Sequence, residues 1–406
     1  MGNSHLSSYL PELDMLQTTL PAARFFDGWM RLPVSRERVL QYTILDIESE
    51  LWSALEYYSE VEEVGLNLIQ TKGIQPQSLH EVFKYFQAFV RQAKSYYISA
   101  KSLHYRSNSL LYYYSFLNLG KAYLLLKDPQ RIMGRTKLSV AHGLSYRSST
   151  TNTDFQLESV RVCDGIFPMF YEAQIGIAIS TAKTSTLNIV KLLGYPSDIS
   201  SQYGLVGYGN CKIISSLAAV VTDLTRNQSW TIIGIPARTD LDDFLRLQVN
   251  FLNSYQEVEI NRNRLIPIFG MGAPELSRFR FFQEIVTTPL SFGGIIFSGA
   301  HIDNIIGTLE PYFGIHYYDD NSDFDLALPY LDIAHSTPIP MNEVLAIYAV
   351  MFYLSSLVRY RPNYLEALLN YKPAWLIENF VNTVPEVFLR MMVSKITEKD
   401  FIYRRR

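Results

Sequence analysis

The side chains best suited to chemistry in this sequence are basic ones gathered in two places. RTKLSVAHGLSYR (residues 135–147) carries Arg135, Lys137, His142, Ser145 and Arg147, and SSLVRYRPNY (355–364) adds Arg359 and Arg361. His142 is the one group among them that titrates near neutrality, so it could take up or release a proton. Guanidinium and ammonium groups beside it would hold a phosphate, or stabilise charge developing on one. A third stretch, SLLYYYSFLNLGKAYLLLK (109–127), sets Asn118 and Lys121 in an otherwise apolar run. At 3.6 residues per turn, Leu111, Tyr114, Asn118, Lys121 and Leu125 share one side of a helix. Tyr113, Phe116, Leu117, Ala122 and Leu124 cover the rest, so the two polar residues face a core or line a cleft and need partners. Together these segments predict a cationic interhelical cleft, with Asn118, Lys121, Ser145, Arg359 and Arg361 as binding residues. The plainer reading has Lys121 snorkel outward, Asn118 bond a nearby backbone group, and the arginines complement a helix C-terminus.

Most other chemistries lack their residues. The sequence has no GxxxxGK[ST] loop, no GxGxxG after a strand, no HExxH and no GxSxG. DDNSDFD (319–325) alternates Asp319, Asn321 and Asp323 like a calcium loop. It has Phe324 where glycine is required and Tyr330 where the closing glutamate belongs, so it reads as an acidic turn. The two cysteines, Cys163 and Cys211, form no CxxC pair, which argues against a zinc site or a disulfide framework and for a reducing cytoplasm. No metal or cofactor is expected. With 39 acidic against 36 basic residues the net charge is −3, so attraction for nucleic acid would have to be local. No secretory leader pattern opens the chain, and the apolar run VLAIYAVMFYLSSLV (344–358) falls short of the ~20 residues that span a bilayer. A buried helix and no membrane partner are expected.

The elements that must position these residues are mainly helical. With 48% apolar and 18% charged residues, the 406-residue chain can bury a sizeable core. Between about 36 and 127 the periodicity predicts three helices. The first places Leu40, Ile44, Ile47, Leu51, Leu55 and Tyr58 on one face and a row of glutamates on the other. The second opens with Pro76 and a SLHE capping box, Ser78 to Glu81, and the third is the 109–127 stretch, stopped by Pro129. Between 151 and 335 glycine and proline are frequent. TIIGI (231–235), EVEIN (257–261), GGIIF (293–297) and FGIHYY (313–318) read as strands, and AQIGIAISTAKTSTLNIVKLLG (173–194) as a helix. Helices return after 335, the last of them interrupted at Pro385. The fold expected is a helical bundle with a mixed α/β insertion. Its regions run 1–150, 151–335 and 336–406, and the last packs back on the first, since the two most apolar helices each need an apolar partner.

Four gapped segments carry a family resemblance. FVRQAKSYYISAKSLHYRSNSLLYYYSFLNLGKAYLLLK, AHGLS, GIFP (165–168) and MFYLSSLVRYRP, in that order, resemble the YaaC-like family of bacterial cytoplasmic proteins. The YYxxFxxxxAxLL helix followed by His-Gly is also similar to the HEPN superfamily of helical bundles. That resemblance implies a bacterial defence or stress protein, antiviral in many relatives, that binds RNA or a nucleotide. In active members it implies a metal-independent endoribonuclease with an Arg–His pair. Arg135 and His142 are the catalytic residues so implied, although Arg135 lies in a loop and Thr136 follows it where the superfamily usually has Asn, Asp or His. It further implies an operon-encoded protein partner or a homodimer. The other class of function is a non-catalytic interaction or scaffold module whose polar core residues are structural.

Overall fold

The computed structural model describes residues 17–18, 37–42, 46–134, 141–146, 154–209, 213–215, 217–223, 228–237, 241–242, 253, 255–259, 272–285, 288–289, 330–332 and 341–404. The chain forms two compact units, 45–212 with 339–401, and 1–44 with 213–338 and 402–406. The residue 150/151 boundary expected from composition falls inside the first of these, which also takes back the chain at residue 339.

The helical unit is built on α1 (Ile47–Glu60), α2 (Glu62–Thr71), α3 (Leu79–Lys101), α4 (Tyr105–Lys127), α5 (Ile166–Ile175), α6 (Glu343–Tyr360), α7 (Pro362–Leu368) and α8 (Pro373–Thr397). A three-stranded antiparallel sheet, β1 (His142–Ser145), β2 (Ser159–Gly165) and β3 (Thr186–Asn188), lies between α4 and α6 in sequence. Helix α4 is the centre of the unit, because its residues are apolar on every side and each side finds a partner. Tyr97 meets Tyr112 with ring centroids 5.2 Å apart, and Tyr96 meets Tyr114 at 5.5 Å, so α3 runs antiparallel to α4. Tyr113 packs edge-on against Tyr348 and Phe352 of α6, and Phe116 stacks on Phe388 of α8 at 3.9 Å. The C-terminal helices therefore cover the N-terminal ones. Helix α6 is the one described helix long and apolar enough to cross a membrane, and 83% of it is buried.

The acidic face of α1 meets α3. Glu60 takes both ends of the Arg91 guanidinium at 2.8 and 2.5 Å, Glu56 takes Lys94 at 2.5 Å, and Glu48 accepts from Tyr97 and Lys101. That row is thus a docking surface for α3 as much as a solvated one.

In the other unit β4 (Leu217–Asp223), β5 (Gln228–Pro236), β6 (Tyr255–Val258) and β7 (Phe279–Glu284) form an antiparallel sheet. Gln17–Thr18 extends it beyond β4, in the order Gln17–Thr18, β4, β5, β7, β6. The protein is mainly helical with a small sheet insertion.

Several expectations change. Residues 37–42 form a strand, so Leu40 is not helical, and the first helix begins at Ile47 behind an Asp46 cap. Ser78 does not cap α3; its hydroxyl donates back to the Gln75 carbonyl. The 173–194 stretch is not one helix. Gly176 takes a left-handed conformation (φ 83°) and ends α5, and Thr186–Asn188 becomes the edge strand β3, whose β-branched Thr suits a sheet. Helix α8, in contrast, runs unbroken through Pro385. GGIIF, FGIHYY and DDNSDFD lie outside the described residues.

Candidate functional site

His142 owes its position to two glycines. It opens β1, and the register slips by one residue between His142 and Leu144, a bulge. Gly143 has φ +78°, and a Cβ there would sit 2.5 Å from the Phe167 backbone nitrogen. Gly165 faces it from β2, where a Cβ would come within 2.5 Å of the Gly143 nitrogen. The His-Gly and Gly-x-Phe-Pro segments are thus two halves of one backbone contact that neither could make with a side chain. The contact is closed by the Ile166 N–H donating to the Ala141 carbonyl at 2.9 Å.

From that bulge the half-buried imidazole reaches α4. Its Nδ1 shares a 2.8 Å hydrogen bond with the hydroxyl of Tyr113, a fully buried residue. The rings of Tyr113, Tyr114 and Phe352 lie within 5.5 to 6.4 Å of the imidazole. Burial pushes the Tyr113 hydroxyl far above its usual range, with Tyr348 adding to the effect, so it stays protonated.

Two cations complete the cluster. Arg359 lies in the last turn of α6, with its guanidinium 5.9 Å from the centre of the Tyr114 ring and 5.0 Å from that of Tyr360. It donates long bonds to the Ser355 carbonyl (3.3 Å), the Ser355 hydroxyl (3.4 Å) and the Tyr114 hydroxyl (3.4 Å). Two of its five N–H donors are left over. Lys121 projects from α4 over the Phe89 ring of α3, its Nζ 5.8 Å from the ring centre. Among the described residues, no carboxylate pairs with either cation. Each rests on an aromatic face instead. Burial lowers the pKa of Lys121. Burial also lowers that of His142, and then Arg359 and Lys121 add their repulsion, all three favouring the neutral imidazole.

The remaining predicted residues part company. Asn118 is buried and donates to the Tyr114 carbonyl one turn back at 2.8 Å, a bond within its own helix. Ser145 ends β1 opposite Arg161. Arg361 belongs to a second cluster, its guanidinium 5.2 Å from the Tyr364 ring and one Nη1 buried without a hydrogen-bond partner among the described residues. That cluster centres on the buried Glu158 carboxylate, which accepts from Tyr146 at 2.6 Å and from Tyr364 at 3.2 Å. Burial first, then Glu158, raises the Tyr146 hydroxyl to about 12, with Arg361 working against the rise. Arg135, Lys137 and Arg147 lie outside the described residues.

The sequence reading missed Tyr113, Tyr114, Phe89 and Glu158. The first three had a signal, because Tyr114 shares a helix face with Lys121 and a tyrosine-rich core must satisfy its hydroxyls. Glu158 had none.

Comparison with known proteins matches residues 68–396 to the family described as YaaC-like protein. No curated protein and no solved structure matches the chain.

Proposed function

The chain belongs to the YaaC-like protein family, and from that footing we propose that it is a HEPN-like cytoplasmic defence or stress protein that binds RNA or a nucleotide at the cluster of Lys121, His142 and Arg359. The observation that carries this reading is electrostatic. Two cations and an imidazole share one half-exposed neighbourhood, and none of the described carboxylates neutralises the cations. A site that stays positive without a counter-charge favours an anion, and Arg and Lys over aromatic rings are preorganised to receive phosphate.

The same groups suit metal-independent RNA cleavage. Neutral His142 would accept the proton of a ribose 2′-hydroxyl as that oxygen attacks the adjacent phosphorus. Arg359 and Lys121 would stabilise the phosphorane, and the bond to the 5′-oxygen would break as that oxygen takes up a proton. Arg135 would serve as a further cation in a HEPN-like arrangement.

A second reading, a non-catalytic interaction or scaffold module, has its own support. Asn118 spends its amide on its own helix, and Arg359 spends three donors on Ser355 and Tyr114. The test is incubation of the protein and of His142→Ala with total RNA and tRNA in EDTA. Cleavage by the parent that disappears in a folded variant upholds the ribonuclease. If neither protein cleaves, catalysis is set aside for those substrates and binding is measured. If neither binds RNA or nucleotides, the structural reading stands.

A further inference from the structure

We propose, resting on the RNA or nucleotide reading above, that the ligand is a single-stranded stretch of RNA whose bases stack along an aromatic track beside the cationic cluster. The track follows from the register of two helices. Tyr96 lies against Tyr114, and Phe89, two turns earlier on α3, lies under Lys121, two turns later on α4. Tyr85 continues the row, its ring 6.3 Å from that of Phe89. At the other end Tyr114 meets His142 and Arg359, and Arg359 in turn meets Tyr360, which is 71% exposed. Tyr85, Phe89, Tyr96 and Tyr114 are each partly exposed. Aromatic and cationic groups therefore alternate along one face.

The other side of α3 shows that this composition is particular to the one face. There Arg91, Lys94 and Lys101 are each neutralised by a glutamate of α1. On the α4 side, Lys121 and Arg359 remain unpaired among the described residues and lie next to aromatic rings.

Length and chemistry then choose among phosphate ligands. From Tyr85 to Tyr96 the helix advances about 16 Å at 1.5 Å per residue. That is more than one nucleotide and up to about five stacked ones at ~3.4 Å each. A duplex would offer phosphates but keep its bases paired and out of reach of the rings, whereas unpaired bases stack on aromatic side chains whatever their sequence. A bare phosphate chain would use the cations and gain nothing from the track.

The test is fluorescence anisotropy at fixed salt with the full chain. The probes are a labelled single-stranded hexanucleotide, carrying 2′-O-methyl riboses so that it cannot be cut, and the same sequence as a duplex. Inorganic polyphosphate of matched charge is the competitor. The single strand is expected to bind at least tenfold more tightly than either comparator. Phe89→Leu and Tyr96→Leu should each weaken it about five- to hundredfold and leave polyphosphate unaffected. Tyr96→Phe, which keeps the ring, should restore binding and so separates stacking from misfolding. Equal binding of polyphosphate, tighter binding of the duplex, or no effect of the leucine variants overturns the track and leaves the cationic site standing. If no probe binds, both readings fall together.

Discussion

Replacing Arg359 with glutamine is expected to raise the pKa of His142. The guanidinium lies 5.9 Å from the centre of the Tyr114 ring, and the imidazole lies 6.4 Å from the same ring. The two groups are therefore no more than ~12 Å apart, which in Coulomb's law gives about 0.3 kcal/mol at the dielectric of water and about 1.4 kcal/mol at an effective value of 20. A repelling cation disfavours the imidazolium, so its loss should raise the pKa, and partial exposure favours the smaller of the two energies. The assay is a proton NMR titration of the imidazole Cε1–H signals of the seven histidines, with His142 assigned by its loss in His142→Gln. Salt separates charge from burial. Raising ionic strength should lift the pKa in the parent and much less in Arg359→Gln combined with Lys121→Met. An unchanged or lower pKa in Arg359→Gln would refute the electrostatic account, and with it the claim that the cluster is poised for an anion.

Gly143→Ala should destabilise the protein by more than ~2 kcal/mol in urea unfolding, because a left-handed backbone and a Cβ contact of 2.5 Å add to each other; a loss below 1 kcal/mol would mean the bulge relaxes freely. Phe116→Ala, which empties a fully buried position stacked on α8, is expected to cost about 3–5 kcal/mol in the same assay. Glu158→Leu leaves the Tyr146 and Tyr364 hydroxyls without their acceptor and should cost about 1–3 kcal/mol. It should also lower the Tyr146 pKa from about 12, read by ultraviolet titration. His142 has its pKa depressed in the folded state, so as the pH falls from 7 to 5 the unfolded chain takes the proton first and stability declines. Denaturation at the two pH values should show a smaller decline in His142→Gln, and an equal decline would remove His142 from the linkage.

Periodicity alone revealed that α4 and α6 are core helices, and that the late helix packs on the early one, because an all-round apolar helix has nowhere else to go. It failed where a single residue decided the outcome. Gly176 cut a helical pattern that otherwise ran from 173 to 194, whereas Pro385 sits within a helix whose buried flanks, Val384 and Val387, hold it in place. The site was half legible. Lys121, His142 and Arg359 could be named because each is a basic residue in an apolar or glycine-marked context. Arg361 sits only two residues beyond Arg359 in the sequence yet serves Glu158, because the helix ends between them and Arg361 begins a new direction of chain. Spacing in sequence cannot report such a change of direction.

The discontinuity of the helical unit has a consequence for synthesis. Helix α4 ends at Lys127, and its partner α6 begins at Glu343. At translation rates of ~5–20 residues per second, about 10–40 s separate the emergence of the two. Throughout that interval Tyr113 and Phe116 lack the Tyr348, Phe352 and Phe388 rings that they meet in the folded protein. The nascent chain therefore carries its central helix unfinished while residues 128–342 are made, and a ribosome stalled before residue 343 would hold a product that exposes this face to chaperones and proteases.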